Sequence, residues 1–207
     1  MSASVRVCIL DYGSGNVRSV YNIVSYLRYA VEVSNSAESI RAATHIILPG
    51  VGAFGAAMEK IRSFIPLDVV DEVVREQKKP FLGICVGMQV LADKGYEHGE
   101  HAGLGWIPGE VKRLQTNGLA LPHIGWNDIS FDPAEPLFKK FAAIRDFYFV
   151  HSFAFDACDR SLVIAEAEYG QLFTAAVRSD NIYGVQFHPE KSQKAGQLLL
   201  KNFFDLS

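Results

Sequence analysis

The chain has 207 residues, of which 49% are hydrophobic and 21% are charged, and its formal net charge is −3. This composition is typical of a globular protein, and the length suits one good hydrophobic core, so we predict a single domain over residues 1–207. The slightly acidic balance offers no basic patch for nucleic acid. No apolar run approaches the roughly 18 residues that predict a membrane-spanning helix.

The cysteine pattern indicates a reducing environment. Cys8, Cys85 and Cys158 form an odd, scattered set, which argues against both a disulfide framework and a CxxC metal site. Residues 1–10 have the pattern of a first strand and not that of a secretory signal. We therefore expect a cytoplasmic protein without a bound metal ion.

Strands and helices alternate along the first half of the chain. Apolar runs predict strands over 5–10, 31–34, 45–48 and 81–84, and helical spacing predicts helices over 17–28, 36–41, 54–64 and 66–77. Ser36 is a suitable N-terminal cap for the second of these helices. Alternation of this kind predicts parallel β-α-β units with right-handed crossovers.

The pattern changes after about residue 105, where strands with short links replace the alternation. Strands are predicted over 110–115, 127–131, 146–155, 163–168, 173–178 and 182–187, and a final helix over 192–204. Ser179-Asp180-Asn181 predicts a tight hairpin turn. The whole sequence predicts an α/β fold with a central, mostly parallel sheet flanked by helices and a strand-rich second half.

The segment Gly83-Ile84-Cys85-Val86-Gly87 is the most informative part of the chain. An apolar run leads into a cysteine with a glycine two residues away on each side, and a helical run follows. This is the layout of a nucleophile elbow, in which glycines permit a sharp turn and the helix N-terminus stabilises a thiolate. Cys85 is therefore the candidate nucleophile for attack on a carbonyl carbon. The alternative is a buried structural cysteine beside packing glycines.

A catalytic cysteine needs a base, because an ordinary thiol is mostly protonated at neutral pH. The histidines that lie downstream in apolar or strand context are His123, His151 and His188. His188 is the best candidate, because it follows the last predicted strand directly, at the rim where open α/β sheets bind ligands. Glu190 could accept the other imidazole N–H and orient the ring. The alternative is that His188 only caps the strand and that Glu190 begins a solvated helix.

Two glycine-rich segments follow predicted strands. Pro49-Gly50-Val51-Gly52 should lie at the same rim as Cys85, where its backbone N–H groups and that of Val86 could bind an oxyanion. The alternative is a plain proline-glycine turn. Gly13-Ser14-Gly15-Asn16 matches neither the G-x-G-x-x-G fingerprint nor a P-loop, so we predict no nucleotide cofactor.

Several segments together carry a family resemblance: DYGSGN (11–16), PGVGAFG (49–55), GICVGMQ (83–89), LPHIGWN (121–127), FYFVHS (147–152) and GVQFHPEKS (184–192). They resemble the class I, or triad, glutamine amidotransferases. Within that class they are most similar to the glutaminase subunits of imidazole glycerol phosphate synthases. The resemblance runs from residue 5 to residue 204.

The resemblance implies a class I amidotransferase fold, no cofactor and hydrolysis of glutamine to glutamate and ammonia. Cys85 would attack the side-chain amide of glutamine, His188 would transfer the proton, and Glu190 would orient His188. The oxyanion hole would be formed by Val51, Gly52 and Val86. The positions that would help to hold glutamine are Gln89, Glu97, His151 and Ser152.

The resemblance also implies a heterodimer with a (β/α)8-barrel synthase subunit, which would use the ammonia to form imidazole glycerol phosphate in histidine biosynthesis. The positions that would face this partner are Asn16, Ile124, Trp126, Tyr148 and Lys191. An alternative is a paralogous glutaminase for surface-polysaccharide sugar amidation, since residues 153–158 and 180–183 are similar to those proteins. Further alternatives are another elbow-cysteine protein, such as a protease or redox sensor, and a binding module without catalysis.

Overall fold

The computed structural model describes residues 4–141 and 145–206, and it has an α/β fold. The first half alternates as predicted. Its strands are β1 (Arg6–Ile9), β2 (Ala30–Val33), β3 (His45–Gly50) and β4 (Phe81–Cys85). Its helices are α1 (Val17–Tyr26), α2 (Ala37–Ala42), α3 (Phe54–Phe64), α4 (Leu67–Asp71) and α5 (Val86–Gln89), with a π-helical turn at Glu72–Glu76.

The second half is rich in strands, as predicted. The strands are β5 (Lys94–Gly95), β6 (His101–Ala102), β7 (Gly109–Arg113), β8 (His123–Phe131), β9 (Asp146–His151), β10 (Phe153–Ala157), β11 (Val163–Tyr169), β12 (Gln171–Ser179) and β13 (Ile182–Val185). Short 3-10 turns lie at Pro136–Phe138, Arg160–Leu162 and Pro189–Lys191, and helix α6 (Gln193–Phe204) follows the last of them.

The main sheet has nine strands in the order β2-β1-β3-β4-β13-β12-β11-β8-β9. The pairs from β2 to β13 in this order are parallel. The pairs from β13 to β9 are antiparallel. Every residue of β3, β4 and β13 is buried. Continuous burial of this kind is expected where helices cover both faces of a parallel sheet.

The parallel pairing places the ends of three strands at one edge of the sheet. Val185 of β13 is opposite Ile84 of β4, and Gly50 at the end of β3 is opposite Cys85. The residues that follow β3, β4 and β13 therefore meet at the carboxyl edge, where open α/β sheets bind ligands.

The predicted strand over 146–155 is wrong in one respect, because it is two strands in different sheets. His151 pairs with His123 of β8 in the main sheet, whereas Phe153 pairs with Arg113 of β7 in a second sheet of order β10-β7-β5-β6. The chain changes sheets at Ser152. An unbroken run of strand-forming residues gives no sign of where the pairing partner changes.

Two predicted helices also end differently from expectation. The helix predicted over 17–28 ends at Tyr26, and Arg28 has a φ of 66°, in the left-handed region that terminates helices. The helix predicted over 66–77 is divided into α4 and the π-helical turn. Helix α3 has the predicted bounds, and the Ser36 side chain caps α2 by accepting from the Ser39 N–H at 3.1 Å. Among the described residues, none of the helices has the length and apolar character to cross a membrane.

Helix α6 packs closely on the turn that carries His188. A Cβ added at Gly196 would lie 1.7 Å from the carbonyl oxygen of Pro189. We predict that Gly196→Ala lowers the free energy of unfolding by about 2 kcal/mol or more, although alanine favours a helix by about 1 kcal/mol. Urea unfolding measures this change. In the control Gly55→Ala, the nearest atoms belong to the movable His101 ring, so a smaller loss is expected; equal losses would contradict the packing argument.

Candidate active site

Cys85 lies at a strained turn between β4 and α5. Its φ of 55° and ψ of −111° are unusual for a residue with a side chain and cost about 1–3 kcal/mol. The residue is 4% exposed and contributes to the wall of a cavity. The elbow geometry expected from the sequence is therefore present.

The two glycines of the elbow are required by close packing. A Cβ at Gly83 would lie 2.4 Å from the carbonyl oxygen of Gly87, and a Cβ at Gly87 would lie 1.9 Å from that of Leu48. Both distances are far below contact, so no side chain fits at either position. The glycines let the first turn of α5 lie directly against β3 and β4.

His188 and Glu190 lie at the same edge of the sheet as Cys85. His188 follows β13 and is held by its backbone N–H, which donates to the carbonyl oxygen of Tyr148 at 2.9 Å. Its Nδ1 is 2.8 Å from Oε1 of Glu190, and both side chains are buried. Asn16 Nδ2 donates to the same Oε1 at 2.9 Å. Because a carboxylate only accepts, His188 Nδ1 carries a proton and Nε2 is left for the sulfur.

The environment of His188 favours its protonated form. Burial alone would lower the pKa of the imidazole, but hydrogen bonds and charge interactions with Cys85 and Glu190 raise the pKa from 6.5 to about 10. An opposite charge close to a buried imidazole has this effect. The arrangement places a protonated imidazole beside the Cys85 sulfur.

The other histidines near the site cannot serve as the base. His151 Nδ1 is 2.9 Å from the carbonyl oxygen of Phe153, and its Nε2 is 3.0 Å from His123 Nδ1. Both ring nitrogens of His151 are therefore engaged. Burial lowers the pKa of His151 to about 3 and also lowers the pKa of His123, so both rings are neutral at physiological pH.

A cavity of about 380 Å³ opens beside the sulfur. Most of the residues predicted for the site line it: Val51, Gly52, Cys85, Val86, Gln89, Glu97, His151, Ser152, His188 and Lys191. Glu190 lies behind His188 and does not line the cavity. The volume is in the range of small-molecule sites.

The side chains of Gln89 and Glu97 already form hydrogen bonds with other parts of the protein. Both N–H bonds of the Gln89 amide are used, because Nε2 donates to the carbonyl oxygen of Phe153 at 2.9 Å and to Oε1 of Gln186 at 3.0 Å. Only its Oε1 is left for a ligand. Oε2 of Glu97 accepts from the backbone N–H of Phe54 at 2.9 Å, at the N-terminus of α3.

In the predicted oxyanion loop, one of the backbone N–H groups expected to bind the oxyanion is already used in a hydrogen bond. The Val51 N–H donates to the carbonyl oxygen of Ser14 at 3.0 Å. This N–H is therefore not available to an oxyanion in the present arrangement, although Val51 and Gly52 line the cavity. Val86 follows Cys85 and opens α5, so its backbone lies at the N-terminal end of the helix beside the sulfur.

The predicted partner-facing residues form a surface beside the cavity, with one exception. Ile124 and Trp126 are 59% and 48% exposed. The Trp126 ring lies edge-on to Tyr148, and Lys191 Nζ lies 5.7 Å from the centre of the Tyr148 ring. Asn16 differs because its side chain is bound to Glu190, so it belongs to the site itself.

Gln186 is a site residue that the sequence reasoning missed. It is fully buried, and its Nε2 is 3.6 Å from the Cys85 sulfur. The available signal was an uncharged polar side chain inside the apolar run Val185-Gln186-Phe187, where a buried polar group must find a partner.

Comparisons with known proteins assign the chain to a family. The family described as "Glutamine amidotransferase class-I" matches residues 8–206, and the chain belongs to it. Proteins named "Imidazole glycerol phosphate synthase subunit HisH" are close relatives. The one from Zymomonas mobilis is 45% identical, covering 98% of this chain and 97% of the relative. The one from Bdellovibrio bacteriovorus is 44% identical, covering 96% and 98%.

Solved structures support the same fold. "Crystal structure of glutamine amidotransferase" has a TM-score of 0.71 at 20% identity, covering 95% of this chain and 96% of the other. "Structure of PurLQS from Thermotoga maritima" also has a TM-score of 0.71, at 18% identity, covering 97% of each chain. At these identities the likeness concerns the fold alone.

The charge pairing at His188 gives a testable pKa. We predict that Cys85→Ala lowers the pKa of His188 by roughly one unit or more, because the hydrogen bond to the sulfur is the strongest of the contacts that raise this pKa. NMR titration of the imidazole measures this value. Stabilisation by the protonated ring is complete below pH 6.5 and is lost as the pH rises towards 10. Cys158→Ala removes an exposed thiol and is the control; an unchanged pKa in Cys85→Ala would contradict the pairing.

Proposed function

We propose that this chain is the glutaminase subunit of an imidazole glycerol phosphate synthase, a cytoplasmic enzyme of histidine biosynthesis. The observation that carries the proposal is the meeting of Cys85 and His188 at one cavity, with Glu190 bound to His188 from behind. Relatives of that name are 42–46% identical over nearly the whole chain.

The reaction begins with attack of the Cys85 thiolate on the side-chain carbonyl carbon of glutamine. The carbonyl electrons move to oxygen, and the tetrahedral oxyanion forms. The C–N bond then breaks as the leaving nitrogen takes a proton from the His188 imidazolium, which releases ammonia and leaves a glutamyl thioester. Neutral His188 takes a proton from water as the water attacks the thioester. The C–S bond breaks, the thiolate–imidazolium pair is restored, and the new carboxylic acid gives its proton to solvent as glutamate leaves.

Glu190 and Asn16 keep the imidazole in the productive orientation. The Glu190 carboxylate fixes the proton on His188 Nδ1, so that Nε2 exchanges the reacting proton. Asn16 binds the same carboxylate oxygen and restricts its rotation. Glutamine is held in the cavity by Gln89, Glu97, Ser152 and the main chain at His151, with the Glu97 carboxylate suited to the α-ammonium group of the substrate.

The hydrogen bond between the Val51 N–H and Ser14 leads us to expect low glutaminase activity in the isolated chain. Val86 supplies one oxyanion donor, and the Val51–Gly52 loop supplies the second only after the Val51 N–H leaves Ser14. Loss of one oxyanion-hole donor typically costs a factor of about 10²–10³ in kcat. We therefore expect weak glutaminase activity alone and a large increase with the partner and its ligand.

The partner is a (β/α)8-barrel synthase subunit that receives the ammonia. It docks on the surface formed by Ile124, Trp126, Tyr148 and Lys191, beside the entrance to the cavity. An exposed tryptophan packed against a tyrosine is typical of an interface centre. Docking there covers the site and keeps ammonia from solvent.

The assignment of the nucleophile is tested by glutamate release from glutamine, measured with and without the barrel subunit. We predict that Cys85→Ala lowers the rate at least about a thousandfold, because no thioester can form. Cys158→Ala, which removes the exposed thiol, should retain the rate. Activity that survives in Cys85→Ala would reject the proposed mechanism.

The docking surface is tested by calorimetric titration with the barrel subunit. We predict that Trp126→Ala weakens binding at least about tenfold, since a large aromatic anchor is lost. Leu172→Ala removes another exposed apolar side chain, on β12, and should bind normally. Equal affinities for both variants would place the interface elsewhere.

A further inference from the structure

We propose that Gln186 is a further catalytic residue, whose side-chain amide donates a hydrogen bond to the Cys85 sulfur and stabilises the thiolate. The inference rests on the proposed function and adds to it a second polar contact on the nucleophile, besides His188. Gln186 lies directly after β13, two residues before His188.

The position of Gln186 is fixed by its backbone and its burial. Its N–H donates to the carbonyl oxygen of Ala175 on β12 at 2.8 Å, and its exposure is 0%. The side-chain Nε2 lies 3.6 Å from Cys85 Sγ. This distance is normal for an N–H···S hydrogen bond, because sulfur is a larger acceptor atom than oxygen. A buried amide in this position must be paired, because an unpaired one would be costly.

The network of hydrogen bonds determines which end of the Gln186 amide faces the sulfur. The carbonyl oxygen of Phe153 can only accept, so the atom of Gln89 that contacts it is Nε2. The same Nε2 donates to Gln186, so the atom of Gln186 that contacts it is Oε1. Gln186 Nε2 therefore points to Cys85. A rotated amide would place two donors or two acceptors against each other.

The network continues beyond Gln89 and makes this orientation rigid. The Phe153 oxygen also accepts from Nδ1 of His151, whose Nε2 accepts from Nδ1 of His123 at 3.0 Å. Nε2 of His123 lies 3.4 Å from Nδ2 of Asn127. Each ring thus has one protonation pattern that satisfies all its neighbours. The chain of hydrogen bonds links β8 to the nucleophile.

A third polar neighbour of the sulfur, a backbone carbonyl oxygen, has the opposite character to the Gln186 amide. The carbonyl oxygen of Val150 lies 3.8 Å from Sγ and can only accept, so it pairs with the neutral S–H. The Gln186 N–H can pair with the anion. When the sulfur forms the thioester its negative charge is lost and this hydrogen bond weakens. When the thioester is hydrolysed and the C–S bond breaks, the electron pair returns to sulfur and the hydrogen bond strengthens.

The amide is therefore expected to assist the step in which the thiolate leaves. Gln186 transfers no proton at any stage; its N–H bonds stay intact. A charge-assisted hydrogen bond to a leaving thiolate lowers the barrier to its departure. The same contact raises the fraction of reactive thiolate in the resting protein.

The experiment measures the rate of Cys85 alkylation by iodoacetamide as a function of pH in the full chain. Gln186→Met keeps the length of the side chain and removes the donor. We predict that the midpoint pH of alkylation rises by roughly one unit or more, because a hydrogen bond to a charged group is stronger than one to a neutral group. Peptide-resolved mass spectrometry separates Cys85 from the exposed Cys158.

A second variant keeps the test possible if the first does not fold. Gln186→Glu retains an acceptor for Gln89 and places a second acceptor beside the sulfur, so its midpoint should rise further than that of Gln186→Met. Thermal melts identify folded variants, and Gln115→Met, on the exposed loop after β7, is the matched control. A midpoint equal to that of the wild type in either folded variant would overturn the inference.

The outcomes separate this inference from the proposed function. If glutamate release depends on Cys85 and the alkylation midpoint does not move in Gln186 variants, the glutaminase assignment stands and the role of Gln186 is rejected. If the midpoint rises but the chain releases no glutamate with its partner, Gln186 does stabilise the thiolate and the proposed function fails. A rise together with slower thioester hydrolysis in single-turnover experiments supports both.

Discussion

The proposed active site depends on the parallel pairing of β4 with β13. These strands run side by side and end together, so that Cys85 and His188 reach the same edge although they are far apart in the sequence. The turn from β4 into α5 needs close approach of the main chain, which the glycines at 83 and 87 permit. With the strands in this register, small changes in side chains around the cavity can alter the substrate without altering the nucleophile.

The interior of the site is held by directional hydrogen bonds between neutral groups. His151 is kept uncharged by burial, and with Gln89 it shares one backbone oxygen of Phe153. Such a network leaves few alternative orientations, since each donor has one acceptor within reach. The buried charge pair next to the sulfur is that of His188 and Glu190. The division between neutral scaffold and charged centre follows from the cost of burying unpaired ions.

The sequence predicts those parts of the structure that have a local signal. Alternating apolar runs and helical spacing predicted most elements, and short motifs marked Cys85 and His188 as candidate site residues. Contacts between distant segments have no such signal. Asn16 reaches Glu190, Ser14 holds Val51, and Gln89 orients Gln186, each through packing of separate loops and strands. The change of sheet at Ser152 is hidden for the same reason, because strand propensity says nothing about the neighbour.

The backbone conformation of Cys85 has a consequence for how this protein evolves. A left-handed φ in a residue with a Cβ lowers stability, and glycine at the same position would relax the turn. Selection for thermal stability alone would therefore remove the proposed nucleophile. The elbow persists only while ammonia production is under selection, and a duplicated copy freed from that demand should drift first at this residue, gaining stability as it loses its chemistry.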